Sequence, residues 1–332
     1  MRFVISGQAL NGEDSSLASF DRLVDRVADE IHKFDLPDAD LLEESHWYIS
    51  ARSSRKKLMS SMLAMPPVRS ADGTHRKTII VDSSDDIDSA VKSAHSSLII
   101  LVEDREADGV FLDLIVSVLG TAPLKELWQR GKSVVPRGYE LMSSGGVSAI
   151  PQRIARIIQD AVHVGATARV MVLCDSDRRW PDDVAQMSHR KIEEIKGICH
   201  DAGIALHVLE KRCIENYIPD EIYAEARKRN VGQDYQDRID ALLRRNKDQR
   251  DHLPVKSFLT EDEHKAGEDA GFYQLSERAD LDLLKKRIFP KAPRVMIQMD
   301  KDYRAHFTEK GLRQRDGRNE LDDLLDTISG EL

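Results

Sequence analysis

Two carboxylates follow a strongly apolar segment in the middle of the chain. The stretch RVMVLCDSD (169–177) has a continuous apolar run, after which Asp175 and Asp177 come two residues apart. Such a run is typical of a buried strand in a parallel sheet. Clustered carboxylates repel one another and favour a cation, and oxygen ligands suit Mg²⁺ or Mn²⁺ better than zinc. A metal held in this way could activate water and stabilise charge on a phosphate.

Two further acids also follow predicted strands. Glu103 ends the stretch SLIILVE, and Glu215 comes shortly after IALHVLE (204–210). Because functional sites of parallel sheets form at the carboxyl ends of the strands, we predict that these acids converge with Asp175 and Asp177 around one or two metal ions. A simpler interpretation stays open, since an acid after a strand is often only the N-cap of the next helix.

The elements that position these acids alternate between strand and helix. The sequence predicts strands at 97–103, 132–138, 169–175 and 204–210, separated by helices at 107–119, 145–162 and 188–203. This alternation predicts an α/β fold, a parallel sheet flanked by helices, with the first and third strands side by side in its centre.

The regions on both sides of this sheet have a different pattern. We expect a mostly helical N-terminal region at 1–95, a catalytic domain at 96–220 and a mostly helical C-terminal region at 221–332. Helical spacing of apolar residues supports the first region, which also has a short strand and a helix at 77–95. The stretch RVMIQM (294–299) could add one more strand.

Composition narrows the class of protein. The chain has 332 residues, is 41% hydrophobic and carries a formal net charge of −9. It can therefore form a core, and it is too acidic for a protein that only coats nucleic acid. No apolar run is long enough to span a membrane, and the N-terminus is not a convincing signal peptide. Three scattered cysteines do not suggest a disulfide framework or a zinc site, so we expect a cytoplasmic protein without a membrane partner.

Four segments together resemble the TOPRIM domain, a Rossmann-like fold of topoisomerases, bacterial primases and OLD-family nucleases. They are LIILVEDREADGVFLDLIV, the GG pair at 145–146, VMVLCDSD and EKRCIENYIP. The IENY segment is similar to the additional acid of OLD-type and related anti-phage TOPRIM proteins, including the effector subunit of PARIS systems. The resemblance covers residues 97 to about 220.

The resemblance implies a role for each matching residue. Glu103 would be the essential acid, a metal ligand that also works as general base or acid. The other implied metal ligands are Asp175, Asp177 and Glu215. Gly145 or Gly146 would be the glycine that lets the backbone pass close to the site.

The chain departs from the family pattern in two places. Asp104 replaces the usual glycine after the first acid, and Ala107 stands where the second acid is expected. Asp108 would therefore be a metal ligand only with an altered turn, and Glu106 is the competing candidate. The third motif continues with RRW, whose Arg178 and Arg179 would contact substrate phosphate or would simply be surface arginines.

The function implied is a metal-dependent endonuclease that hydrolyses phosphodiester bonds of DNA or RNA, as a prokaryotic anti-phage effector. Mg²⁺ or Mn²⁺ would be its cofactor and nucleic acid its substrate. The chain has no Walker motif, so an ATPase sensor would be a separate subunit. The oligomeric state stays open, with a homo-oligomer among the alternatives. The competing interpretations are a catalytically degenerate regulatory or interaction protein and a primase-like phosphotransferase.

Lysines of the C-terminal region form one last group of candidates. Lys256, Lys265 and Lys301 could neutralise charge on a phosphate, although lysines that no motif places usually face solvent.

Overall fold

The computed structural model describes residues 1–28, 32–37, 39–64, 78–184, 187–229, 232–286 and 301–332. The fold of these residues is α/β, with parallel sheets flanked by helices, as the sequence predicted. The strands are β1 Arg2–Ile5, β2 Lys33–Asp35, β3 Thr78–Val81, β4 Leu98–Val102, β5 Tyr139–Ser143, β6 Val170–Cys174 and β7 Ala205–Val208.

A four-stranded parallel sheet positions the acidic residues. Its strand order is β5-β4-β6-β7, so the strands that precede Glu103 and Asp175 are neighbours in the sheet centre. Ile99 pairs with Val170 and Leu101 with Val172. The predicted adjacency of these two strands is confirmed. It places both following acids at the carboxyl ends of the strands.

Helices cover both faces of this sheet. Leu98, Ile100 and Val102 of β4 pack into a core shared with α5, α6 and the C-terminal helices. Leu101 belongs instead to a core with α7 and α8 on the opposite face. Because successive side chains of a strand point to opposite faces, a continuously apolar strand can belong to two cores. The helices of this part are α5 Arg105–Leu119, α6 Ala122–Ser133, α7 Ile150–His163 and α8 Met187–Asp201.

The second predicted strand was wrong in position. Residues 132–133 end helix α6, and the strand follows the turn, at Tyr139–Ser143. This strand, β5, lies at the edge of the sheet and pairs only with β4. It alternates between buried Tyr139 and exposed Glu140, and so lacks the continuous apolar run that revealed the central strands.

A second parallel sheet organises the N-terminal region. Its strand order is β2-β1-β3, and α1 packs closely on α4 beside it. The predicted helices and the strand at 78–81 are present, but β1 and β2 were not predicted. The helices are α1 Asp14–Ala28, α2 His46–Ser50, α3 Ser53–Ala64 and α4 Ser84–His95. This region has a separate hydrophobic core, built from residues between Met1 and Ala94.

The C-terminal region is mostly helical, as expected. Its helices are α9 Asp220–Arg229, α10 Gln233–Leu243, α11 Lys247–His252, α12 Glu261–Asp269, α13 Arg278–Leu284, α14 Lys301–Arg304, α15 Glu309–Asp316 and α16 Glu320–Glu331. One hydrophobic cluster extends from β4 and α5 to α16. The proposed strand at 294–299 lies outside the described residues. In the described part of the chain, every helix is too short or too polar to cross a bilayer.

Candidate functional site

Glu103 lies where three strands end. It follows β4 directly, and its carboxylate oxygen Oε1 accepts a hydrogen bond of 3.0 Å from the backbone N–H of Asp175, the residue after β6. The carbonyl oxygen of Glu103 accepts hydrogen bonds from the Ser143 hydroxyl at 2.8 Å and from the Gly145 N–H at 3.2 Å, both at the end of β5. The side chain and backbone of Glu103 therefore connect the carboxyl ends of β5, β4 and β6.

Of the two competing acids, Asp108 rather than Glu106 faces the carboxyl ends of the strands. Asp108 is buried, whereas Glu106 is exposed. The Asp108 carboxylate accepts a hydrogen bond from the Asp104 N–H at 2.9 Å, and Asp104 in turn caps α5 by accepting from the Glu106 N–H at 3.0 Å. The sequence contained a signal for this choice, because Phe111 stands three residues after Asp108, on the same apolar face of the helix.

The loop after β6 presents Asp175 and Asp177 in different environments. Asp175 is 6% exposed, and its carboxylate oxygen Oδ2 lies 2.6 Å from the ammonium nitrogen of Lys256. Asp177 adopts a left-handed backbone conformation with φ of 53°. Aspartate is among the few residues with a side chain that visit this region. Its N–H donates to the carbonyl of Arg212 at 3.0 Å, which fixes the loop against the segment after β7.

Glu215 reaches the same region from a short 3-10 helix, Ile214–Tyr217. The neighbouring Asn216 holds this segment in place: its amide donates to the carbonyls of Arg250 at 2.8 Å and Leu253 at 3.0 Å. Glu215 is 5% exposed, and within the described residues its oxygen Oε2 has no hydrogen-bond partner. A buried carboxylate oxygen without a donor is costly, and it is the type of group that a bound cation would satisfy.

Lys256 is the basic residue of this cluster, and only the structure locates it. It lies in the connection between α11 and α12, far from Asp175 in sequence. Burial lowers the pKa of Lys256, but the neighbouring anions, Asp175 first among them, outweigh burial and raise it above its ordinary value. The ammonium therefore stays charged and compensates part of the negative charge. No local pattern distinguished Lys256 from Lys265 or Lys301.

The carboxyl groups hold protons unusually tightly. Burial and then the charge of Asp175 raise the pKa of Glu103 to about 8. The same two causes raise the pKa of Asp108 to about 7. Burial raises the pKa of Asp175 to about 6, although Lys256 opposes the change. Raised pKa values with specific charged neighbours are typical of functional sites, and burial is the largest cause at all three of these carboxyl groups.

The donor set fits a hard divalent cation in its chemistry. Every candidate ligand is a carboxylate, which suits Mg²⁺ or Mn²⁺, and the unpartnered oxygen of Glu215 supports the same conclusion. In the arrangement seen here, however, no three acidic, histidine or cysteine side chains of the described ranges are close enough together to hold one ion. Lys256 contacts Asp175 where a metal would otherwise bind its oxygen.

The two candidate glycines both have a backbone conformation with positive φ, and the close approach that the resemblance implied is not seen at either. Gly145 has φ of 82° and Gly146 has φ of 118°, and a Cβ atom on either would meet nothing within 4 Å. Their conformation, rather than crowding, therefore favours glycine.

The two candidate arginines differ in their contacts. Arg179 forms a bidentate ion pair with the buried Asp183, with distances of 2.7 and 3.1 Å, so its guanidinium is already engaged. The guanidinium of Arg178 has no hydrogen bond or ion pair with the residues that the structure describes, and it remains available to a ligand.

No protein-family profile, curated protein or solved structure matches this chain.

Proposed function

We propose that this chain is a metal-dependent nuclease with a TOPRIM-type active site. The observation that carries the proposal is the meeting of Glu103, Asp108, Asp175 and Glu215 with Lys256 at the carboxyl ends of β4 and β6. The Glu103 carboxylate and the Asp175 N–H are in direct contact, and the charge of Asp175 acts on both Glu103 and Asp108. Buried carboxylates that repel one another favour a divalent cation.

Different residues of the site would have different roles in phosphodiester hydrolysis. Glu103, Asp108, Asp175, Asp177 and Glu215 are the carboxylates that would hold Mg²⁺ or Mn²⁺. The bound metal would supply electrostatic stabilisation of the phosphate and a more acidic water. Glu103 Oε1 is occupied by the Asp175 N–H, so its other oxygen, Oε2, is the atom that would accept or return a proton.

Lys256 has a second proposed task. Its ammonium pairs with Asp175 at 2.6 Å, and this side chain is 44% exposed, so it has access to a ligand in the solvent-facing part of the site. With Asp175 engaged as a metal ligand, the Lys256 ammonium would pair with a phosphate oxygen of the substrate. Arg178 lies on the loop after β6 and has no ion pair with the described residues. It would also bind a phosphate of the substrate.

The experiment is a cleavage assay with plasmid, linear DNA and total RNA, with and without Mg²⁺ and Mn²⁺. We expect metal-dependent cleavage that Glu103→Gln and Asp175→Asn abolish, while Glu106→Gln, which changes an exposed acid in the first turn of α5, retains it. Thermal melts establish that each variant is folded. Full activity of folded Asp175→Asn protein would reject the proposed site.

One observation favours a different function. Lys256 already neutralises part of the cluster, and no three acids within the described ranges stand at metal-holding distances. A catalytically degenerate regulatory or interaction protein would have these features. Absence of cleavage of all three substrates under both metals, together with absence of metal-induced stabilisation, would favour it. No feature specifically favours a primase-like phosphotransferase.

The biological setting is part of the proposal and follows from the resemblance alone. We propose an anti-phage effector of the prokaryotic cytoplasm that acts with a separate ATPase sensor subunit. The missing P-loop sequence is consistent with a separate ATPase.

A further inference from the structure

Trp180 differs from the other tryptophans of the chain in its degree of burial. The chain has three tryptophans. Trp47 and Trp128 are 2% and 1% exposed and belong to hydrophobic cores, whereas Trp180 is only partly buried. It lies on the loop that follows β6, the same loop that carries Asp175 and Asp177. A partly exposed indole on the loop that carries two of the candidate acids therefore needs an explanation other than core packing.

Contacts on this loop fix the orientation of the indole ring. The guanidinium carbon of Arg179 lies 4.4 Å from the ring centre of Trp180, and Asp183 holds that guanidinium by two hydrogen bonds of 2.7 and 3.1 Å. The ring of Phe272, which is also partly exposed, lies 6.4 Å from the Trp180 ring at an angle of 43°. A ring held in this way loses little conformational entropy when a ligand stacks on the aromatic surface.

An arginine without an ion pair to the described residues precedes this aromatic surface in the chain. Arg178, adjacent to Arg179 in the chain, has a guanidinium without a hydrogen bond or ion pair to the described residues. Aromatic rings next to cations are the elements that bind single-stranded nucleic acid, because bases stack on the rings and the cations contact the backbone. A duplex does not offer unstacked bases.

We propose that Trp180 and Phe272 form a stacking surface for an unpaired base of a single-stranded nucleic acid whose backbone lies against Arg178. The inference rests on the proposed nuclease function and names its substrate class, a single strand or an unpaired segment. Asp183 acts as a positioning residue, because it holds Arg179 against the indole.

The experiment follows the intrinsic fluorescence of the full-length protein, in EDTA so that cleavage does not occur. Because Trp47 and Trp128 are buried, a stacked base should quench Trp180 selectively. The probes are oligothymidylate and oligouridylate of about 12 nucleotides, within the range that such surfaces cover, and a duplex of the same length. Fluorescence anisotropy of labelled probes measures affinity independently of the tryptophan.

We expect both single strands to quench the fluorescence and to bind more tightly than the duplex. Trp180→Ala should weaken single-strand binding by roughly 5- to 150-fold, the usual range for one stacked base. Trp180→Phe should lose the quenching and keep most of the affinity. Val162→Ala, an exposed apolar residue at the end of α7, should change neither quantity. A preference for only one of the two strands would distinguish DNA from RNA within the same chemistry.

Four results would overturn the inference. They are the absence of single-strand binding, strand binding without quenching, equal affinity of wild-type and Trp180→Ala protein for single strands, and equal dependence of single-strand and duplex binding on Trp180. They are separate from failure of the nuclease proposal. Cleavage with unchanged affinity in Trp180→Ala rejects only the stacking surface, whereas quenching without metal-dependent cleavage rejects only the nuclease.

Discussion

Replacement of Asp108 by asparagine tests the electrostatics of the cluster without any knowledge of the substrate. Asp108 is 7% exposed, and burial and Asp175 raise its pKa to about 7. In an unfolded chain an aspartate has a pKa of about 3.9. Between these two values the folded state binds more protons than the unfolded state, so Asp108 lowers stability progressively as the pH rises.

The magnitude follows from the difference between the two pKa values. A difference of about 3 units at about 1.4 kcal/mol per unit gives an upper bound of about 4 kcal/mol. Relaxation around a newly charged group reduces this, so we expect the change to be about 2–3 kcal/mol. Asparagine keeps an oxygen that can accept from the Asp104 N–H, which now donates at 2.9 Å. Relative to wild type, Asp108→Asn should therefore gain about 2–3 kcal/mol of stability between pH 4 and pH 8.

The assay is urea unfolding in EDTA at about pH 4.5, 6 and 8, followed by circular dichroism. The control is Glu126→Gln, which removes an exposed acid of α6 that pairs with Arg130 at 2.9 Å. Its effect on stability should stay within about 1 kcal/mol at every pH. A difference between Asp108→Asn and wild type that is constant with pH, or that falls as the pH rises, would refute the reasoning. Added Mg²⁺ at the highest pH should stabilise wild type more than the variant.

Three further predictions concern Lys256, a packed glycine and ATP. Lys256→Met should lower stability by about 1–3 kcal/mol at neutral pH in urea unfolding, because it leaves buried Asp175 without its cation and the 44% exposure of the lysine limits the loss. Unchanged stability would contradict the ion pair. Gly267→Ala should cost about 1–3 kcal/mol in the same measurement, because the new Cβ would lie 2.3 Å from Tyr273 Cδ2. The control is Gly197→Ala, whose new Cβ would meet nothing within 4 Å and should not destabilise the protein. The purified chain should neither bind ATP in calorimetry nor hydrolyse it, and stoichiometric turnover would disprove this expectation.

The sequence by itself determined the centre of the sheet and the origin of most of the acids. The runs that form β4 and β6 are continuously apolar because both strands are buried on two faces, and this property is visible in a short window. The positions of Glu103 and Asp175, directly after these two strands, follow from it. Strand β5 was misplaced, because an edge strand faces solvent on one side and has a weaker apolar signal.

Only the tertiary structure decided which charges meet. Lys256 contacts Asp175 because the α11–α12 connection packs against the end of β6. The local sequence specifies which side chains are buried and how the backbone is paired. Ion pairs between distant segments depend on the mutual placement of those segments, which is determined by the packing of the whole chain.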